Sequence, residues 1–129
     1  MEYIIWLDSE KAQTFALTPT GIEKSHLKKS GVEHHTRDKN DKTTDSDLQH
    51  FYRDLAAKLS GAKKLLIMGP GLGKTHFNSY LESHHSGGLA KAVIGVENSD
   101  HPTDNQILAS ARGFFKVYDH FNTSVKEIY

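Results

Sequence analysis

The chain has 129 residues, enough for one domain with a single core and too few for a second catalytic module. Sixteen basic residues balance sixteen acidic ones, so any contact with RNA would have to be local, because nucleic-acid-binding domains usually carry net positive charge. The absence of cysteine excludes disulfide frameworks, thiolate nucleophiles and cysteine-based metal sites. The first residues lack the basic stretch and small-residue cleavage site of a signal peptide, so we expect none, and no apolar run approaches about 18 residues. We therefore expect one domain over residues 1–129, cytoplasmic and without membrane contact.

Three short strand-like runs open the chain, at Glu2 to Leu7, Gln13 to Thr18 and Gly21 to Leu27. Turn-forming residues separate them, so they predict an antiparallel meander. The segment 28–47 that follows is polar and predicts a long exposed loop. Apolar residues then recur at helical spacing, which predicts an amphipathic helix with Thr44 or Ser46 as its N-cap and Gly61 beyond its end. The apolar positions of this helix are Leu48, Phe51, Tyr52, Leu55 and Leu59.

The second half of the chain alternates between strand and helix patterns. Apolar runs at 64–68 and 92–96 predict strands, and Phe77, Tyr80 and Leu81 predict a helix between them. Thr103 and Gln106 have the spacing of a capping box that opens a last helix. The order βββαβαβα predicts an α/β fold with one five-stranded mixed sheet, as in ribonuclease-H-like proteins. The apolar tail 116–129 would pack on the domain or on a second copy, forming a homodimer.

A glycine-rich turn between predicted strand and helix suggests an anion-binding site. Glycines allow close backbone approach, and amides at a helix start can hold phosphate. A true phosphate loop would require glycine where Met68 stands, so a plain tight turn is the alternative. The candidate anion-binding residues are Gly69, Gly71, Gly73, Lys74 and Thr75.

Carboxylates near predicted strand ends raise the alternative of a metal-dependent nuclease, with Asp8, Glu97, Asp100 and Asp104 as its candidates. We favour structural roles instead, with Asp8 in a turn and Asp104 at a helix start. The adjacent residues His101, Pro102, Thr103 and Asp104 form a motif that rigidifies and caps the last helix. The histidine pairs are poorly placed to converge on one ion. We therefore assign no catalytic residue, metal or cofactor.

The polar segment 28–47 is the main candidate for binding, since long loops in small domains usually bind a partner or are mobile. Its basic residues could meet phosphates, although five acidic residues between Glu33 and Asp47 balance them, so a solvated loop is the alternative. The candidate contacts to RNA or the ribosome are His34, His35, Thr36, Arg37, Lys39 and Lys42.

These patterns together resemble the second domain of Pelota and of eukaryotic and archaeal class I release factors, over nearly the whole chain. Four motifs are also similar to small bacterial stand-alone proteins called translational machinery proteins. They are Trp6-Leu7-Asp8, His34 to Arg37, Gly69-Pro70-Gly71 with Lys74-Thr75 and Phe77, and His101 to Asp104. In release factors the corresponding loop carries a Gly-Gly-Gln tip that promotes hydrolysis of peptidyl-tRNA, and this sequence has no Gly-Gly-Gln.

The resemblance implies a translation-associated protein that contacts the ribosome, ribosomal RNA or tRNA without promoting peptide release. The sequence favours such a non-enzymatic role. The alternative is an enzyme that binds nucleotide or phosphate at Gly69 to Thr75, or that hydrolyses phosphoesters with a metal.

Overall fold

The computed structural model describes residues 1–29 and 45–123. Five strands lie at Glu2–Leu7 (β1), Lys11–Thr18 (β2), Gly21–Lys28 (β3), Lys64–Gly69 (β4) and Val93–Asn98 (β5). Four helices lie at Asp45–Lys58 (α1), Gly73–His84 (α2), Leu89–Ala92 (α3) and Asp104–Thr123 (α4). None of the helices in these two ranges is both long and apolar enough to span a membrane.

The five strands form one mixed sheet in the order β3-β2-β1-β4-β5. The tightly connected β1, β2 and β3 pair antiparallel, whereas β4 pairs parallel with both β1 and β5. Short turns allow antiparallel neighbours, and parallel neighbours need a crossover through a helix. The predicted α/β fold with a single five-stranded mixed sheet is confirmed.

Successive side chains of a strand point to opposite faces of the sheet. Consecutive residues of the central strands β1 and β4 are buried, so both faces of these strands are covered. Ile5 and Ile67 belong to the larger core, which α1 and α2 cover with Leu55, Phe77 and other apolar side chains. The opposite face holds a smaller core under α4. Its buried members are Ile4, Trp6, Phe15, Leu66, Met68, Ile107, Ala111 and Phe115.

Several elements differ from the sequence-based expectation in their bounds. The strand β3 includes Lys28 and the helix α1 begins at Asp45, so both elements take residues from the predicted polar segment 28–47. Ser46 therefore lies within α1, and Thr44 lies outside the described residues. The one-turn helix α3 was not predicted, since four residues carry too little periodicity to reveal a helix.

The last helix α4 extends past Phe115 to Thr123 and so includes part of the predicted tail 116–129. Residues 124–129 lie outside the described ranges. The homodimer through this tail stays a prediction.

A close backbone contact at Gly69 fixes how β4 turns toward α2. The φ angle of Gly69 is 152°, a conformation that favours glycine. A Cβ at this position would overlap the carbonyl oxygen of Leu7 in β1. Glycine is therefore required here both by backbone conformation and by space.

We predict that Gly69→Ala lowers the free energy of unfolding by about 3 kcal/mol or more, because the methyl group forces β1 and β4 apart. Urea unfolding followed by circular dichroism measures this change. The matched control is Gly87→Ala, since a Cβ there meets nothing within 4 Å. The control should be neutral or stabilising by up to about 1 kcal/mol. Equal stability of the two variants would contradict the role assigned to Gly69.

The start of α4 is held by reciprocal hydrogen bonds. The amide of Gln106 donates to Thr103 Oγ1 at 3.2 Å, and the amide of Thr103 donates to Gln106 Oε1 at 2.9 Å. These bonds satisfy two backbone donors near a helix end that has no intrahelical acceptors for them. The predicted capping box is confirmed.

We expect Thr103→Ala to destabilise the domain by about 1 kcal/mol, because the Gln106 amide loses its acceptor. Thr103→Ser keeps the hydroxyl group and should unfold close to wild type. Both variants are compared by urea unfolding at the same pH and salt. Serine as harmful as alanine would show that the threonine methyl group, and not the cap, accounts for the loss.

Candidate functional site at the carboxyl edge of the sheet

The parallel strands β1, β4 and β5 end at the same edge of the sheet, which we call the carboxyl edge. In open α/β sheets, ligands commonly bind just beyond this edge. Here it brings together Asp8 after β1, the Gly69–Gly71 turn after β4, and Asn98 to Asp100 at the end of β5. The predicted anion-binding turn and the His101 to Asp104 motif therefore lie at one edge.

Lys74, in the first turn of α2, points into the protein. Its side chain is buried, and Nζ donates hydrogen bonds to the Gly71 carbonyl oxygen at 2.5 Å and to Asn98 Oδ1 at 3.1 Å. The ammonium group thus connects the turn after β4 to the end of β5. Binding of a phosphate by Lys74 would compete with these two internal acceptors.

The other predicted anion-binding residues lie in the turn after β4 and in the first turn of α2. Gly71 has a φ of 59°, in the left-handed region, and a Cβ on Gly73 would lie 3.2 Å from the carbonyl carbon of Asp8. Thr75 is exposed on the first turn of α2, and no side chain caps that helix start. Anion binding at these residues stays a prediction.

Asp8 closes the turn between β1 and β2. Its Oδ1 accepts hydrogen bonds from the amides of Glu10 and Lys11, at 2.8 and 2.9 Å, which is the turn role predicted from sequence. Its Oδ2 lies 3.7 Å from Nε2 of His101. One carboxylate therefore completes the turn and also faces the segment that leads into α4.

Trp6 holds the segment that precedes α4 through a hydrogen bond and a ring contact. The indole Nε1 donates to the carbonyl oxygen of Asp100 at 2.8 Å, and the Trp6 and His101 ring centroids are 5.2 Å apart. The predicted structural residues Pro102, half-buried, and Asp104, ion-paired with Lys24, follow directly. The described contacts of His101 to Asp104 thus join α4 to β1 and β3.

The carboxylates considered for a nuclease do not converge. Asp8 is engaged in its turn, Asp104 pairs with Lys24, and Glu97 is exposed on β5. Among the side chains that the structure describes, at residues 1–29 and 47–115, no three from His, Cys, Asp or Glu lie close enough together to hold a metal ion.

An aromatic groove between α1 and α2 was not anticipated from the sequence. Its volume is about 300 Å³, and its walls include Tyr52, Tyr80 and His84. The Tyr80 ring centroid lies 4.3 Å from that of His84 and 5.6 Å from that of Tyr52. Burial raises the pKa of the Tyr52 hydroxyl. The i, i+4 spacing of Tyr80 and His84 was the available signal, but it does not reveal the contribution of α1.

The predicted RNA-contacting residues His34, His35, Thr36, Arg37, Lys39 and Lys42 lie outside the described residues. The structure does describe Lys29, the last described residue before these six along the chain from β3. The amide of Lys29 donates to the carbonyl oxygen of Glu10 at 2.8 Å, so the chain leaves β3 beside the turn between β1 and β2. The segment therefore starts at the carboxyl edge.

Comparison with known proteins gives matches among solved structures. No protein-family model matches the sequence, and no curated protein matches it significantly. Pelota from Archaeoglobus fulgidus superposes with a TM-score of 0.61 at 16% identity, over 97% of this chain and 37% of that one. Pelota from Thermoplasma acidophilum gives 0.61 at 18% identity, over 98% of this chain and 41% of that one.

Yeast Dom34 shares the fold at lower similarity. This S. cerevisiae protein is a translation termination-like factor involved in RNA quality control pathways, and it interacts with Hbs1. It superposes with a TM-score of 0.54 at 11% identity, over 98% of this chain and 40% of its own. The chain thus spans about two fifths of the length of the structures it matches, and it has the fold of a Pelota and release-factor domain.

Proposed function

We propose that this protein acts in translation by binding, contacting the ribosome, ribosomal RNA or tRNA, without catalysing a reaction. The supporting observation is the likeness of nearly the whole chain to Pelota and to Dom34, a translation termination-like factor. Fold alone does not carry function, so surface features have to agree with it. A role at the ribosome would place the protein in the cytoplasm.

The proposed contact surface is the segment between β3 and α1. Six residues of this segment are the candidates: His34, His35, Thr36, Arg37, Lys39 and Lys42. The segment starts at the carboxyl edge, which supports it as the contact surface. A partner bound at this edge would also meet the ends of β1 and β4. Arg37 and Lys39 are the strongest candidates for phosphate contact, since both carry positive charge.

Two observations favour binding over catalysis. The sequence lacks the Gly-Gly-Gln that the resemblance associates with peptide release. Lys74, the residue that an enzyme acting on phosphates would use, already donates to Gly71 and Asn98. We therefore propose a binding role without peptide-release activity.

We predict that the protein cosediments with ribosomes in sucrose gradients at low salt and dissociates as salt rises, because phosphate contacts release counterions. Arg37→Ala combined with Lys39→Ala should reduce the bound fraction about tenfold at moderate salt.

The matched control combines Lys63→Ala with Lys91→Ala, which removes the same charge from exposed positions at the opposite edge of the sheet. This control should sediment as wild type does. Wild-type protein that stays at the top of the gradient at low salt would contradict the proposed function.

The enzyme alternative makes a separate prediction about ligand binding. A nucleotide held at Gly69 to Thr75 would stabilise the fold by about 3 kcal/mol at a hundredfold excess over its Kd. We expect instead that ATP, GTP and Mg²⁺ leave the melting temperature unchanged. A ligand-dependent rise that Lys74→Met abolishes would favour a nucleotide-binding enzyme.

A further inference from the structure

Two lysines face each other across neighbouring strands at the carboxyl edge. Lys11 on β2 pairs in register with Lys28 on β3, and the next residues on the same face are Gln13 and His26, which pair with each other. We call these four residues the β2–β3 basic face. It lies on the side of the sheet covered by α4, because Phe15, two residues beyond Gln13, belongs to the core under that helix.

Positive charge on this face is not neutralised within the described residues. Lys11, His26 and Lys28 are exposed, and no acidic side chain of residues 1–29 or 47–115, where the structure describes side chains, pairs with either lysine. The next basic residue along β3, Lys24, differs because it pairs with Asp104 of α4. The nearest acidic residue in sequence, Glu10, is exposed in the turn before Lys11.

Protection of the sheet edge does not explain the arrangement. Proteins often place lysine on an edge strand to prevent pairing with other chains, and this would account for Lys28 on β3. It does not account for Lys11, because β2 is an interior strand with neighbours on both sides. Like charges directly opposite each other also destabilise a sheet. An anionic ligand would relieve this repulsion.

Gln13 adds a hydrogen-bonding requirement to the same face. Its Oε1 is buried and has no hydrogen-bond partner, and it is the one such side-chain atom among the described residues. An acceptor left without a donor costs free energy, so a hydroxyl group arriving at this face would be favoured. Ribose offers such a donor in its 2′-hydroxyl, next to the phosphates that the lysines would meet.

We propose that the β2–β3 basic face binds the sugar–phosphate backbone of RNA, with Lys11 and Lys28 on phosphates and Gln13 on a ribose 2′-hydroxyl. The choice of RNA rests on the proposed function. Its residues are not among the six candidates of the segment 28–47 that include Arg37 and Lys39, so the two sets can be substituted and tested separately.

The test measures fluorescence anisotropy of a labelled single-stranded RNA of about 20 nucleotides, which exceeds the site of one small domain. Lys11→Thr combined with Lys28→Thr keeps strand propensity and should weaken RNA binding about tenfold. The salt dependence should also become weaker: the negative slope of log affinity against log salt should decrease in magnitude by about 1 to 2. The Lys63→Ala, Lys91→Ala control should bind as wild type does.

Folding is monitored by the melting temperature in the absence of RNA. The Lys11→Thr, Lys28→Thr variant should melt no lower than wild type, since it removes a like-charge pair. An equal loss of RNA binding in this variant and in the control, or no loss in either, would overturn the proposal. Polyglutamate that binds this face while RNA does not would overturn it in favour of an acidic protein partner.

The ribose contact has its own comparison. Wild-type protein should bind RNA about fivefold more tightly than DNA of the same sequence, and Gln13→Leu should abolish this difference. Equal affinities of wild type for RNA and DNA would overturn the contact.

Ribosome cosedimentation separates this surface from the proposed function. Lysine-dependent RNA binding without cosedimentation would support the surface and overturn the function. Cosedimentation that survives loss of both lysines, with RNA binding unchanged, would overturn the surface and support the function.

Discussion

The carbonyl oxygen of Leu7 occupies the space where any side chain at position 69 would begin. This contact lets the turn after β4 lie directly against the end of β1. The start of α2 also lies close to the end of β1, since Gly73 approaches Asp8. The amide of Ser99 donates to the Gly69 carbonyl oxygen at 3.0 Å, which brings β5 to the same place. The carboxyl edge is built around this glycine.

Once the three strand ends are this close, the polar side chains between them find partners within the protein. Lys74 binds Gly71 and Asn98, and the Trp6 indole binds the Asp100 carbonyl oxygen. These hydrogen bonds are partly buried, and those of Lys74 are also charge-assisted, so they rigidify the edge more than fully exposed contacts would. Residue types that suggest catalysis in the sequence therefore stabilise structure here. A function based on binding then depends on the surfaces around the edge.

Local patterns were enough to predict most of the fold. Strand alternation, the helical spacing of Leu55 and its neighbours, and the Thr103 capping box each depend on residues close in sequence. The site was harder to predict, because its geometry depends on long-range packing. No local signal shows that Lys74 turns inward to Asn98, or that Tyr52 of α1 meets Tyr80 of α2.

The β2–β3 basic face shows that strand register can concentrate positive charge locally in a chain whose net charge is zero. Basic residues alternate along β3, but only the pairing with β2 decides whether Lys11 lies opposite Lys28. A slip of one residue would move the side chains of one strand to the other face, so the hairpin turn sets the charge pattern. Thr18 Oγ1 donates to the carbonyl oxygen of Gly21 at 2.7 Å, and Gly21 has a φ of 150°. The conformation of this turn, at the far end of both strands, thus determines whether two like charges meet at the carboxyl edge.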